Sequence, residues 1–244
     1  MRHFRFVCLI CGAALTALLL TACGTPYATQ ENRLGEPVML LGHDPVAYFT
    51  RRQPVRGDPA TKSRLAGRTY YFVDAANKQV FDADPARFEP QYGGFCASGA
   101  AFAIKLGSDP TEWKIVDGRL FIFGDIAGRS AWDLDPAWNI AHGDEVWPEA
   151  RDQGWRWQSL KRYAFKVPWY KNTGDILREY AARHPGKEWP RYNPGGMMNN
   201  LFLEQPGWRA RRGVGPQPVV GFVGEDACPP ACPGTISKGF SSLK

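Results

Sequence analysis

In the middle of this sequence, the residue whose type could most readily do chemistry is a lone thiol. Cys96 stands in YGGFCASGAAF, residues 92–102, directly behind Gly93, Gly94 and Phe95. A soft site for Cu(I) or Zn(II) needs two to four Cys, His or Met ligands converging, and the near sequence supplies one. His43, in the GHDP turn, could bring a second ligand, with His142 a weaker choice. A Cys96–His43 pair is the minimum for Cu(I), and nothing in the spacing enforces it. A nucleophilic thiol would need a base in reach. His43, His142 and His184 form no known signature with Cys96, so a thiol enzyme ranks third among the readings. Against these stands the composition of CASGAAFAI, small and apolar, as for a helix packed tightly on a strand. Free cysteine is among the most buried residue types. The thiol therefore reads first as core, then as a metal or redox ligand, then as half of a bridge to the tail.

CPPAC holds a second pair, Cys228 and Cys232, stiffened by Pro229 and Pro230. A strong metal signature would have two such pairs. A local disulfide is the plainer account in an oxidising compartment. Met197 and Met198 suit Cu(I) by type, but the chain has four methionines, too few for a copper carrier. No phosphate loop, paired-carboxylate site or Ser-His-Asp arrangement stands out.

The compartment follows from the first residues. Arg2 and Arg5 precede an apolar run from Phe6 to Leu20 and then small residues, the layout of a secretory signal. The ending LTAC, Leu20 to Cys23, resembles the lipobox of bacterial lipoproteins. That resemblance implies cleavage before Cys23, with residues 1–22 as signal, and acylation of Cys23, which anchors the chain stably in a membrane. It places the protein in the bacterial cell envelope, facing the periplasm, at the outer rather than the inner membrane. Cys8 and Cys11 leave with the signal, so Cys96, Cys228 and Cys232 remain and one intrachain bridge at most can form.

Charge is uneven around a net of +6. Residues 24–150 carry 13 Lys and Arg against 17 Asp and Glu, whereas residues 151–244 carry 15 against 7. A basic half invites a nucleic-acid reading. In an exported lipoprotein, a solvated basic surface or contact with anionic envelope components fits better, and no nucleic-acid partner is expected.

These residues need a scaffold. Residues 23–36 are polar without periodicity and read as a tether. Asp-Pro pairs then recur at Asp44, Asp58, Asp84, Asp109 and Asp135. Asp suits an N-cap and Pro the first helical position, so DPVAYF and DPARF read as single helical turns and DPAWNIAHGDEVW as a longer helix. VMLL (Val38 to Leu41) and RTYYFV (Arg68 to Val73) read as strands, with Val80 and Phe81 as the apolar anchors of the segment that follows. WKIVDGRLFIF, Trp113 to Phe123, predicts a hairpin, because Asp117-Gly118 suits a type I′ turn. GDILREYAARH predicts a helix with Ile176, Leu177 and Tyr180 on one face and His184 at its C-terminal end. Trp113, Trp132, Trp138 and Trp147 read as aromatic core in preference to a pocket lining. Beyond Arg151 the chain is rich in Trp and Pro, and residues 149–244 read as an irregular extension with a loose tail.

From about Leu41 to Phe123 the pieces DPVAYF, YYF, DPARF, GGFCA and VDGRLFIF resemble the YHS-domain proteins, the exported bacterial branch above all. The resemblance implies a small α+β module over residues 37–148, with an antiparallel hairpin and short strands packed against short helices. A metal role, copper in particular, has been proposed for that family. Its metal-type members carry cysteines just after the aromatic strand, where this chain has VDAANK, Val73 to Lys78. The expectation is a membrane-anchored lipoprotein with a non-enzymatic binding or accessory role toward an envelope component or small ligand. Copper handling through Cys96 with His43, or through Cys228 and Cys232, is the alternative.

Overall fold

The structure, a computed structural model, describes residues 26–154, 171 and 173–190. Cys23, Met197, Met198, Cys228 and Cys232 lie outside these residues, as does most of the extension. The described chain is α+β, as expected. A four-stranded sheet has the order β1 (Thr29–Glu31), β2 (Pro37–Met39), β4 (Arg68–Phe72), β3 (Asp58–Leu65). Its β2–β4 pair is parallel and its other two are antiparallel. A two-stranded sheet joins β5 (Asp109–Val116) to β6 (Arg119–Phe123). The helices are α1 (Ala47–Thr50), α2 (Ala75–Ala83), α3 (Pro85–Phe88), α4 (Ala97–Ala100), α5 (Ile126–Trp132), α6 (Pro136–Ala150) and α7 (Thr173–Arg183).

These elements form two copies of one unit, a feature the sequence reading missed. Asp58, Gly67, Arg68, Phe72, Asp74 and Asp84 each recur 51 residues later, as Asp109, Gly118, Arg119, Phe123, Asp125 and Asp135. The geometry repeats with them. Both hairpins turn through a left-handed pair, Ala66-Gly67 (φ +46° and +76°) and Asp117-Gly118 (φ +50° and +73°). Both shift register at the same place, between Asp58 and Lys62 in one and between Asp109 and Trp113 in the other. In each unit an Asp then caps the following helix: Asp74 accepts from Asn77 N at 2.8 Å, and Asp125 from Gly128 N at 2.7 Å.

The preceding segments match as well, one residue out of step. Leu40, Leu41 and Gly42 have φ of +54°, +48° and +75°, and Tyr92, Gly93 and Gly94 have +54°, +61° and +80°. A side chain at Gly93 would place its Cβ 2.2 Å from Pro26 O, so that turn tolerates only glycine. After each turn one backbone N–H reaches the incoming strand, Asp44 N to Val55 O at 2.8 Å and Cys96 N to Leu106 O at 3.1 Å. The parallel contact of Val38 with Thr69 has its counterpart in a bridge from Pro90 to Leu120.

Burial explains why the strands alternate. In the first unit Tyr70 and Phe72 pack on Phe81, with ring centroids 4.7 and 5.2 Å apart. In the second, Phe121 and Phe123 pack on Trp132 at 5.3 and 5.4 Å. Leu120 and Ile122 point the other way along β6, into the first unit's core beside Met39, Val46 and Tyr48. Tyr48 adds a tie by donating to Pro110 O at 2.8 Å. Strand β6 thus serves both units, giving Leu120 and Ile122 to the first core and Phe121 and Phe123 to a separate second one.

Several local expectations change. VMLL is a strand only to Met39, because the left-handed conformations of Leu40 and Leu41 end it. The tether contains strand β1, and its Asn32 and Glu36 are buried, Glu36 holding Lys62 and Arg64. Phe81 is an anchor, but Val80 is 45% exposed. Leu177 lies on the open side of α7. DPAWNIAHGDEVW and the Asp117-Gly118 hairpin form as read, while DPARF is a helical turn whose Asp84 makes no capping bond and the turn in DPVAYF starts at Ala47, after Pro45, with Val46 at its N-cap.

Candidate functional site

Cys96 follows the glycine turn and immediately precedes α4. The backbone brings it beside β6, where it bridges Ile122. The residue is 2% exposed and its thiol is free. Its Sγ lies 3.5 Å from Ser98 Oγ, and Ser98 donates to Gly128 O at 2.6 Å. The sulfur faces Gly124 and Gly128: a Cβ built on either would sit at ordinary contact distance from it, 3.7 or 3.5 Å.

His43 is 5% exposed in the first unit, and its Nδ1 lies 2.8 Å from Leu40 O. That contact makes Nδ1–H the donor to the carbonyl. Burial pulls the imidazole down to about 4, against the opposing pull of the Leu40 bond and Asp109, so the ring is neutral at ordinary pH. Cys96 packs in the cluster of Tyr92, Phe121, Phe123 and Trp132. His43 neighbours Leu40 and pairs with Arg56. No hydrogen bond joins the two side chains, and among the described residues no three His, Cys, Asp or Glu side chains converge as a metal site. His142 is turned to its own helix, with Nδ1 2.9 Å from Trp138 O and its ring stacked on Trp138. His184 packs its ring at a tilt against Tyr180 beyond the end of α7, with centroids 4.5 Å apart.

The repeat gives Cys96 a counterpart, Asp44. That carboxylate is fully buried. Its Oδ1 accepts from Val46 N at 2.8 Å and Ala47 N at 3.2 Å. Its Oδ2 accepts from Val73 N at 2.9 Å and Asn77 Nδ2 at 2.8 Å. The residues 51 positions after Val73 and Asn77 are Gly124 and Gly128, the two glycines around the sulfur. The same position therefore ties the first turn of the following helix by hydrogen bonds in one unit and by close packing in the other. Reading the sequence as single-turn caps found half of this role for Asp44. The spacing of the Asp-Pro pairs was the signal that could have found the rest.

Lys105 carries a role with no local signature. It is 1% exposed, and its Nζ donates to Gln153 O at 2.8 Å and to Arg151 O. Burial lowers it to about 8. A cation on these carbonyls suits the negative end of the α6 dipole. On the outer side of the second unit a small cavity of about 40 Å³ lies between Ser98, Phe102, Leu134 and Trp138 and the α7 residues Ile176 and Glu179. That is room for a few water molecules, well short of a drug-sized ligand.

In chemical terms, Asp44, His43 and Cys96 are all engaged within the fold. Comparison of the chain with protein-family models, with curated proteins and with solved structures finds no match.

Proposed function

We propose that this protein is an envelope-anchored lipoprotein whose YHS-like part serves a non-enzymatic binding or accessory role. The observation that carries the reading is the equivalence of Asp44 and Cys96. The family landmarks DPVAYF and GGFCA fall on the same brace of two successive units, and each landmark side chain is spent on holding a helix in place. A buried thiol packed among glycines is inert rather than nucleophilic. The LTAC sequence at Cys23 supports anchoring by acyl chains. No helix among the described residues is long and apolar enough to cross a membrane.

The test is a titration of the reduced protein with Cu(I) against a competing chelator, beside Cys96→Ala and His43→Ala variants. Equal, weak binding by all three is expected. Tight binding lost in either variant would replace this reading with metal handling. Replacing Cys23 by Ala should release the protein from the membrane fraction, and retention would refute the anchor.

A further inference from the structure

The stretch that reads as a tether, residues 23–36, is built into the fold from Pro26 onward. Tyr27 packs against the first unit's core, and the Arg68 guanidinium lies 3.9 Å over its ring. Arg68 is itself fixed, paired with Glu89 at 2.9 Å and donating to Leu65 O at 3.2 Å. Ala28 N donates to Gly93 O at 2.8 Å, and Pro26 O lies so close to Gly93 that any side chain there would strike it. Strand β1 then starts at Thr29. The chain is therefore part of the folded body by Pro26, three residues after Cys23.

We infer that the protein lies directly on the lipid surface, with the face carrying Pro26, Tyr27 and Gly93 turned to the headgroups. The inference rests on the proposed acylation of Cys23, which fixes that residue at the membrane. Three extended residues span at most about 11 Å. A body the size of residues 26–154 has a radius of gyration of roughly 14 Å. The tie is thus shorter than the body's own radius, and the molecule cannot turn its far side to the membrane. Reach selects the partner of this face, the headgroup layer, with no need for a basic patch. The half-buried Tyr27 suits that place, because a tyrosine ring is at home at headgroup level. An envelope component that binds this protein then approaches from the sides away from Pro26.

The experiment places the full-length acylated chain in a supported bilayer of phosphatidylethanolamine and phosphatidylglycerol. Neutron reflectometry then measures protein density along the membrane normal. A second form carries a Gly-Ser linker of about 20 residues between Thr25 and Pro26, ahead of the folded body, with a coil length of roughly 25 Å. The parent's density should begin at the headgroups, and the linker should move its centre outward by up to that length. A solvent layer wider than about 11 Å beneath the parent would overturn the proposal and leave the anchor standing. Equal profiles for the two forms would also overturn it, since the short tie would not be what sets the contact. Loss of the parent from the bilayer on washing would overturn the anchor and this proposal together.

Discussion

The first unit, residues 38–88, and the second, 90–139, solve one packing problem with different chemistry. Both must hold a short helix against the end of a hairpin through a segment that has just made a left-handed turn. The first uses a buried carboxylate with four donors around it. The second has a sulfur lying beside two glycines. Hydrogen bonds to a buried carboxylate are individually stronger than dispersion contacts, but they fail badly when one partner is lost. The comparison teaches that the thiol which looks like a functional group by type stands where its sister unit keeps a structural one.

The largest effect should come from breaking the polar version. Asp44→Ala leaves Val46 N, Ala47 N, Val73 N and the Asn77 amide without their acceptor, and should cost about 3–5 kcal/mol in urea unfolding. Transplanting it comes next: Cys96→Asp alone should cost about 3 kcal/mol, as a buried carboxyl lacking partners. Adding Gly128→Asn supplies the counterpart of Asn77 and should return about 1 kcal/mol. A loss that deepens on adding Asn would break the equivalence.

The pH response should separate the units as well. In the folded chain His43 takes up its proton only near pH 4, whereas an unfolded chain does so near 6.5. The unfolded state binds more protons between those values, so stability falls as pH drops from about 6.5 to 4, by about 2–3 kcal/mol. Glu36, held near 2 by Arg64 and Lys62, adds a loss only in the lower window between 4.5 and 2. Phe95 fills the matching position of the second unit and has no such response. Unfolding curves for the parent and for His43→Gln should therefore diverge in slope between pH 6.5 and 4. Parallel curves would show that His43 titrates normally.

Smaller still is Cys96→Ala, at about 1–1.5 kcal/mol for a lost sulfur in a packed site. Smallest is Trp132→Phe, which makes the second core resemble Phe81 in the first. The Trp132 indole N–H is buried without an acceptor among the described residues. Removing that unsatisfied donor offsets the lost ring area, and the change should stay within about 1 kcal/mol.

How much of this could be read from sequence depended on whether the deciding contact was local. The hairpin was legible because Asp117-Gly118 names its own turn. The helices after Asp84 and Asp135 were legible because Pro fixes their first position. Val80 reads as an anchor beside the equally apolar Phe81, and only the position of β4 decides which of the two faces inward. Leu40 and Leu41 continue an apolar run that reads as strand, because nothing in a leucine announces a positive φ. The repeat escaped because its matching residues are mostly Asp, Pro, Gly and Ala at turns and caps. Its core positions trade one aromatic for another, Phe81 for Trp132 and Tyr70 for Phe121. Lys105 was invisible because its acceptors, Arg151 O and Gln153 O, lie 46 and 48 residues away. The burial of Cys96 was legible in its small apolar neighbours, whereas its counterpart Asp44 was not.

The most direct test of the account is the reactivity of Cys96 itself. The native protein would be pulsed with an alkylating reagent and the modified cysteines located by mass mapping, at increasing urea. Cys96 should stay unmodified until the whole domain unfolds, with its labelling midpoint on the global transition. Rapid labelling of Cys96 in the absence of urea, or labelling that Cu(I) suppresses, would contradict the claim that this thiol is a brace.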